Sequence, residues 1–136
     1  MTDVKSFRDL LVWQKATDLA VNIYRMVERL PPSQQTVLGN QMRRSALSIP
    51  SNIAEGCSRH STASYIHHLR IAHGSGCELE TQIEIGRRVA LLRDDQAAPL
   101  VDDAQEVGRM INGLARSLKR KLEQQRKKAK GMSDEP

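Results

Sequence analysis

Apolar residues recur at steps of three and four in four long segments of the 136-residue chain, and short polar or proline-containing links separate them. That periodicity is the signature of amphipathic α-helices and excludes a sheet, whose faces repeat every second residue. The first segment runs from about Ser6 to Leu30, with Phe7, Leu10, Leu11, Trp13, Ala20, Ile23, Tyr24, Val27 and Leu30 as its apolar positions. Ser6 is placed to cap it, with Asp9 three residues on as a partial capping box. Pro31 and Pro32 end it, because neither can donate to a helical ladder. About 24 residues at about 1.5 Å each predict a helix of about 36 Å.

The second segment spans Ser33 to about Arg59, with Leu38, Met42, Ala46, Ile49, Ile53 and Cys57 on one stripe. Pro50 lies inside it, which predicts a kink or break near Leu47. The third runs from about Thr62 to Leu92 along Tyr65, Leu69, Ala72, Gly76, Leu79, Ile83, Gly86 and Ala90. Its small members predict a close helix–helix approach. The fourth begins after Arg93, with Asp94 or Asp95 as cap and Leu100, Ala104, Val107, Ile111, Leu114 and Leu118 as its apolar face.

Four long helices with short links predict an all-α fold, an antiparallel up-down-up-down four-helix bundle over residues 1–122. Residues 123–136 read as a basic helix end and a frayed polar C-terminus beginning at Gly131. The four aromatic residues, Phe7, Trp13, Tyr24 and Tyr65, are too few for a β-sandwich of this size and suit a core of Leu, Ile and Ala. No apolar run reaches the length of a spanning helix. Met1 to Ser6 lacks the layout of a signal peptide, so a cytoplasmic location is expected, with no membrane partner.

The formal charge of +5 is unevenly placed. Met1 to Ala115 holds 13 basic and 13 acidic residues, whereas Arg116 to Lys130 holds Arg116, Lys119, Arg120, Lys121, Arg126, Lys127, Lys128 and Lys130 against Glu123 alone, a balance of +7. One reading is a contact with the phosphate backbone of RNA or DNA, which releases counterions. The other is a solvated helix end, where cations are favoured by the helix dipole whatever the function. With no aromatic residue interleaved, base stacking is not expected.

The polar face of the second segment carries Arg44, Ser48, Asn52, Glu55 and Arg59 at helical spacing, with Arg43 beside it; the third carries Gly74, Ser75, Glu78 and Glu80. Arg43 or Arg44 pairing with Glu78 or Glu80 would fix the register of two packed helices. An exposed ion-pair surface and a subunit contact are the alternatives. His68 and His73 are five apart, and no Glu-x-x-His pair exists, so neither a metal nor another cofactor is expected. Ser75 lies in a helical pattern and not after a strand, unlike a nucleophile elbow. Cys57 is three residues from His60, weak grounds for a thiol dyad, and both Cys57 and Cys77 read as small buried hydrophobes. No enzymatic activity is expected.

Three runs, Phe7–Ala16, Gln41–Gly56 and Ala72–Glu80, are ordered as in the 23S rRNA intervening-sequence proteins, a bacterial family that this chain resembles over about Phe7 to Ala115. The resemblance implies an antiparallel four-helix bundle in a ring-like homo-oligomer, a pentamer. It marks Trp13, Arg43, Arg44, Ser48, Asn52, Glu55, Gly56, Gly74, Ser75, Glu78 and Glu80 as bundle-defining or interface residues. That architecture is similar to the accessory proteins of diversity-generating retroelements, which bind nucleic acid and a reverse transcriptase. By that analogy a nucleic-acid enzyme is a further partner.

Overall fold

A computed structural model describes residues 5–133 of the chain, with side chains to residue 131. Four helices carry the fold: α1, Leu11–Glu28; α2, Asn40–Cys57; α3, Thr62–Arg88; and α4, Asp94–Ser133. Among the described residues there is no strand. Each helix packs on its neighbours in the chain, and α1 meets α4 to close the bundle. The all-α, up-down-up-down expectation holds.

The core is aliphatic. Leu19, Ile23, Met42, Ile49, Ile53, Leu69, Leu79, Ile83 and Ile111 are its largest fully buried members. Val12, Ala16 and Leu19 face it from α1 while Leu11 is exposed, so the inward stripe is set one position on from Leu11. Trp13 is half-buried against the core, its ring 5.2 Å from that of Phe7.

Local chemistry shifted several boundaries. Ser6 and Asp9 do form a capping box, but it closes a single 3-10 turn, Phe7–Asp9. The long helix starts afresh after Leu10, which is extended at φ −76°, ψ 124°. Residues 33–39 do not form a regular helix. A turn over Pro32–Gln34 widens into a π-helical turn, Gln35–Gly39, before α2 begins. Gly39 lets the end of this turn pack close against α1, since a Cβ there would lie 2.7 Å from Val27 Cγ1.

No break occurs at Leu47: α2 runs unbroken through the buried Pro50. Proline forfeits one ladder bond, yet the turn is bound by Ser51 Oγ donating to Leu47 O at 2.8 Å and Asn52 Nδ2 donating to Ser48 O at 2.9 Å. The Pro50 ring itself adds apolar surface to the packed interior.

α3 stops at Arg88 and not at Leu92, because Ala90 turns left-handed at φ 62°. Leu91 and Leu92 N then bond back to Gly86 O at 2.9 and 3.1 Å. Asp94 and Asp95 lie in the first turn of α4 and not before it; Arg93 N donates to Gln96 Oε1 at 2.9 Å. α4 continues through Gly131 to Ser133, so the fraying expected from Gly131 is not seen there. The remainder of that expectation, 134–136, lies outside the described residues.

Candidate nucleic-acid interface and interhelical polar face

α4 is 40 residues long, about 60 Å, against 27 residues or about 40 Å for α3. The residues of α4 that pack on the core end at Leu118. The last fifteen or so therefore form an arm that outruns the bundle. Arg116, Lys119, Arg120, Lys121, Arg126, Lys127, Lys128 and Lys130 are all exposed on it. At 3.6 residues per turn, Arg116, Lys119, Arg120, Arg126, Lys127 and Lys130 share the face opposite Ile111, Leu114, Leu118 and Leu122. The described ion pairs include none from Arg116 to Lys128. The structure thus presents a basic stripe about 21 Å long that points away from the core.

The second group lies between α2 and α3. Ser75 Oγ donates to Ser48 Oγ at 2.8 Å, and Ser48 Oγ also accepts from Asn52 Nδ2 at 3.0 Å. Glu55 holds Arg59 Nη2 at 2.6 Å and lies 3.5 Å from His68 Nε2. The hydrogen bond from Arg59, with further help from His68, holds the Glu55 carboxyl below the usual glutamate range. Gly56 lets α3 approach closely: a Cβ there would meet His68 Cβ at 2.9 Å and Tyr65 Cδ1 at 3.0 Å. Of the small residues on the α3 stripe, Gly86 is tightly packed, a Cβ there lying 3.2 Å from Leu92 Cδ1 and 3.3 Å from Met42 Cε, whereas Gly76 has room to spare.

The expected Arg–Glu pairing is not formed. Among the described residues no ion pair joins Arg43 or Arg44 to Glu78 or Glu80. Arg43 turns back toward the π-helical turn, donating to Gln35 O at 3.3 Å and to Asn40 Oδ1. Arg44 is exposed beside Tyr24, Thr36, Val37 and Leu47. Glu80 is rotated toward α4, sharing a hollow with Gly108, and Glu78 is exposed. Spacing along one helix placed these residues on faces but left the rotational setting of the two helices open. Gly74 faces open space.

Neither cysteine is a fully buried hydrophobe: Cys57 is half-buried and Cys77 is exposed. Cys57 neighbours the Tyr65 phenol, which burial chiefly, and then the Cys57 thiol, push well above the usual tyrosine range. The cysteine with a histidine neighbour is Cys77, whose Sγ lies 3.9 Å from His73 Nδ1; Asn112 Nδ2 lies 3.2 Å from His73 Nε2. Sequence reasoning missed this grouping. The four-residue spacing of His73 and Cys77 was the available signal, while Asn112 is brought in only by the packing of α4 on α3. Among the described residues no group of three metal-ligating side chains gathers, and no helix is long and apolar enough to cross a membrane.

The model of the family described as 23S rRNA-intervening sequence protein matches residues 8–113. The chain belongs to the 23S rRNA-intervening sequence protein family. A search of curated proteins finds no match. Among solved structures, this family member is similar to a protein of unknown function from the S23 ribosomal protein family of Bacteroides thetaiotaomicron. The two share 26% identity and a TM-score of 0.71, over 77% of this chain and 98% of that one. The family match ends three residues before Arg116, so the basic arm lies outside the part by which the 23S rRNA-intervening sequence protein family is recognised.

Proposed function

We propose that this chain is a non-enzymatic, oligomeric bundle that binds the backbone of RNA or DNA through the basic arm of α4. The observation that carries this reading is the arm itself: eight exposed cations and one acid from Arg116 to Lys130, where α4 leaves its core after Leu118. A helix end needing only dipole compensation would place cations in its last turn, where the effect is felt. Here they extend over about four turns. Contacts to phosphate need no aromatic residue, and the arm has none. The bundle positions the arm, and several copies in a ring would gather several arms on one assembly.

Fluorescence anisotropy with a 20-base-pair DNA duplex and an RNA hairpin, at about 50 mM salt, tests the reading. Full-length protein binds both, and a chain ending at Leu122 with Arg116, Lys119, Arg120 and Lys121 changed to Gln does not. Equal binding by the two proteins overturns it. Light scattering tests the assembly: a mass near the 15.3 kDa monomer at micromolar concentration removes the ring, for which the family resemblance suggests five subunits.

A second reading, a protein-interaction scaffold, draws on Arg44, Glu78 and the exposed Leu47, Ile71 and Ile85; the ion pairs among the described residues include neither Arg44 nor Glu78. Its partner would be another copy of the chain or a nucleic-acid enzyme. A pull-down that survives nuclease treatment favours it.

A further inference from the structure

We propose that Cys77, His73 and Asn112 form a thiol-exchange site at which Cys77 takes up a low-molecular-weight thiol as a mixed disulfide. The geometry has the three parts such a site needs: an accessible sulfur, a base within reach of it, and a third group that orients the base. His73 and Cys77 are four apart on α3 and so share one helical face. His73 Nδ1 lies 3.9 Å from Sγ, the outer edge of a sulfur hydrogen bond. The imidazole packs over Gly108 of α4, and its far nitrogen Nε2 meets the Asn112 amide at 3.2 Å. An amide can turn over end for end, so with Oδ1 facing the ring Asn112 accepts from Nε2–H and leaves Nδ1 bare toward the thiol.

The surroundings select the reaction. The hollow beside the thiol, lined by His73, Gly76, Cys77, Glu80 and Gly108, holds about 20 Å³, room for about one water. Pockets for small substrates are more than ten times larger, about 300 Å³ and up, so the co-reactant meets Cys77 from solvent. Both helices run without interruption here, and their backbone N–H groups are spent in the ladder. None remains to form an oxyanion hole, which disfavours acyl transfer. Exchange with a disulfide places its developing charge on the leaving sulfur and needs no such hole.

In the exchange His73 Nδ1 takes the Cys77 thiol proton while Sγ attacks one sulfur of a small disulfide, RS–SR. The Cys77 S–SR bond forms as the RS–SR bond breaks. The leaving thiolate takes the proton from His73 and departs as RSH. One disulfide is consumed and one made, so no further oxidant enters. Cys57, half-buried beside Tyr65, lacks this arrangement.

Oxidised glutathione is the probe, added to the full-length chain, with the rate of mixed-disulfide formation at each cysteine followed by peptide mass spectrometry. Cys77 in the native protein is expected to react about tenfold faster than the same residue in the denatured chain, and faster than Cys57. His73→Gln is expected to remove most of that advantage with helix content unchanged by circular dichroism. Asn112→Leu is expected to reduce it, and to shift the ¹⁵N resonances of the His73 ring, which report where the ring proton sits. A native rate at Cys77 no higher than in the denatured chain overturns the proposal. So does a folded His73→Gln protein that reacts at the unaltered rate. If His73→Gln does not fold, the native-against-denatured comparison decides alone.

Discussion

Ser75 Oγ donates to Ser48 Oγ at 2.8 Å, joining α3 to α2 midway along both helices, and Asn52 Nδ2 donates to the same Ser48 oxygen. Ser48 is the shared acceptor, so Ser48→Ala leaves the half-buried Ser75 hydroxyl unpaired and Asn52 Nδ2 with the residue 48 carbonyl alone. It is expected to cost about 1–2 kcal/mol, and Ser75→Ala about 0.5–1 kcal/mol, since the latter removes donor and contact together. Urea unfolding followed by Trp13 fluorescence measures both.

Gly56 and Gly74 are expected to respond to alanine with opposite signs. At Gly56 the new methyl meets His68 Cβ at 2.9 Å and Tyr65 O at 3.2 Å, and the helices must separate. The expected loss is about 1–3 kcal/mol. At Gly74 the methyl meets nothing within 4 Å. Helix propensity then raises stability by about 0.5–1 kcal/mol. Thermal denaturation of the two variants beside the parent checks the pair.

Ala90 holds φ 62° at the turn after α3, a conformation glycine adopts without strain. Ala90→Gly is expected to gain about 0.5–1 kcal/mol, the relief of strain less the added flexibility of the unfolded chain. Chemical denaturation giving a loss would mean that the turn does not hold this conformation.

Acid is expected to weaken the turn between α3 and α4. Hydrogen bonds from Arg87 and then Arg88 hold Glu84 at about 2, against 4.5 for a free glutamate, and Arg87 also reaches Asp94 at 3.4 Å. Lys15 lowers Glu106 likewise, through a contact of 2.7 Å. These groups bind protons more weakly folded than unfolded, so their stabilisation is present above about pH 5 and is lost as the pH falls toward 2. Lys15, Glu84 and Glu106 are half-exposed and Asp94 is exposed, so water and salt screen these pairs. The melting temperature is therefore expected to drop from pH 6 to pH 3, less steeply in Glu84→Gln and in 1 M salt.

The arm predicts a salt law. If about six cations meet phosphates, the logarithm of the duplex binding constant falls with that of salt at a slope of about −5, and of single-stranded RNA at about −4. Each Lys→Gln substitution on the stripe flattens the slope by about one unit. A slope near zero would assign the affinity to something other than backbone charge.

The four helices were legible because burial imposes its own period: Leu69, Ala72, Leu79 and Ile83 sit where three-and-four spacing puts them. The ends were less so. Ser6 and Asp9 cap correctly, yet Leu10 is extended, and a single residue of backbone freedom separates a 3-10 turn from the helix it was expected to start. Pro50 reads as a breaker because the lost ladder bond is visible in the sequence, while the side-chain bonds from Ser51 and Asn52 and the burial of the ring emerge only on folding. Arg43 and Glu80 show the same limit between helices. Each lies on the face expected, but the rotation of one helix against the other sent them apart. The basic arm, by contrast, needed no packing to be seen.

Among the described residues, none of the hydrophobic side chains packed on the core lies beyond Leu118. Substitutions there leave the folding equilibrium almost untouched, while substitutions among Ile49, Ile53 and Leu79 leave the charge of the arm untouched. Two selective pressures can thus act on one gene without trading against each other. The distal turns of α4 lie outside the stretch by which the family is recognised, so their charge can change without disturbing the bundle.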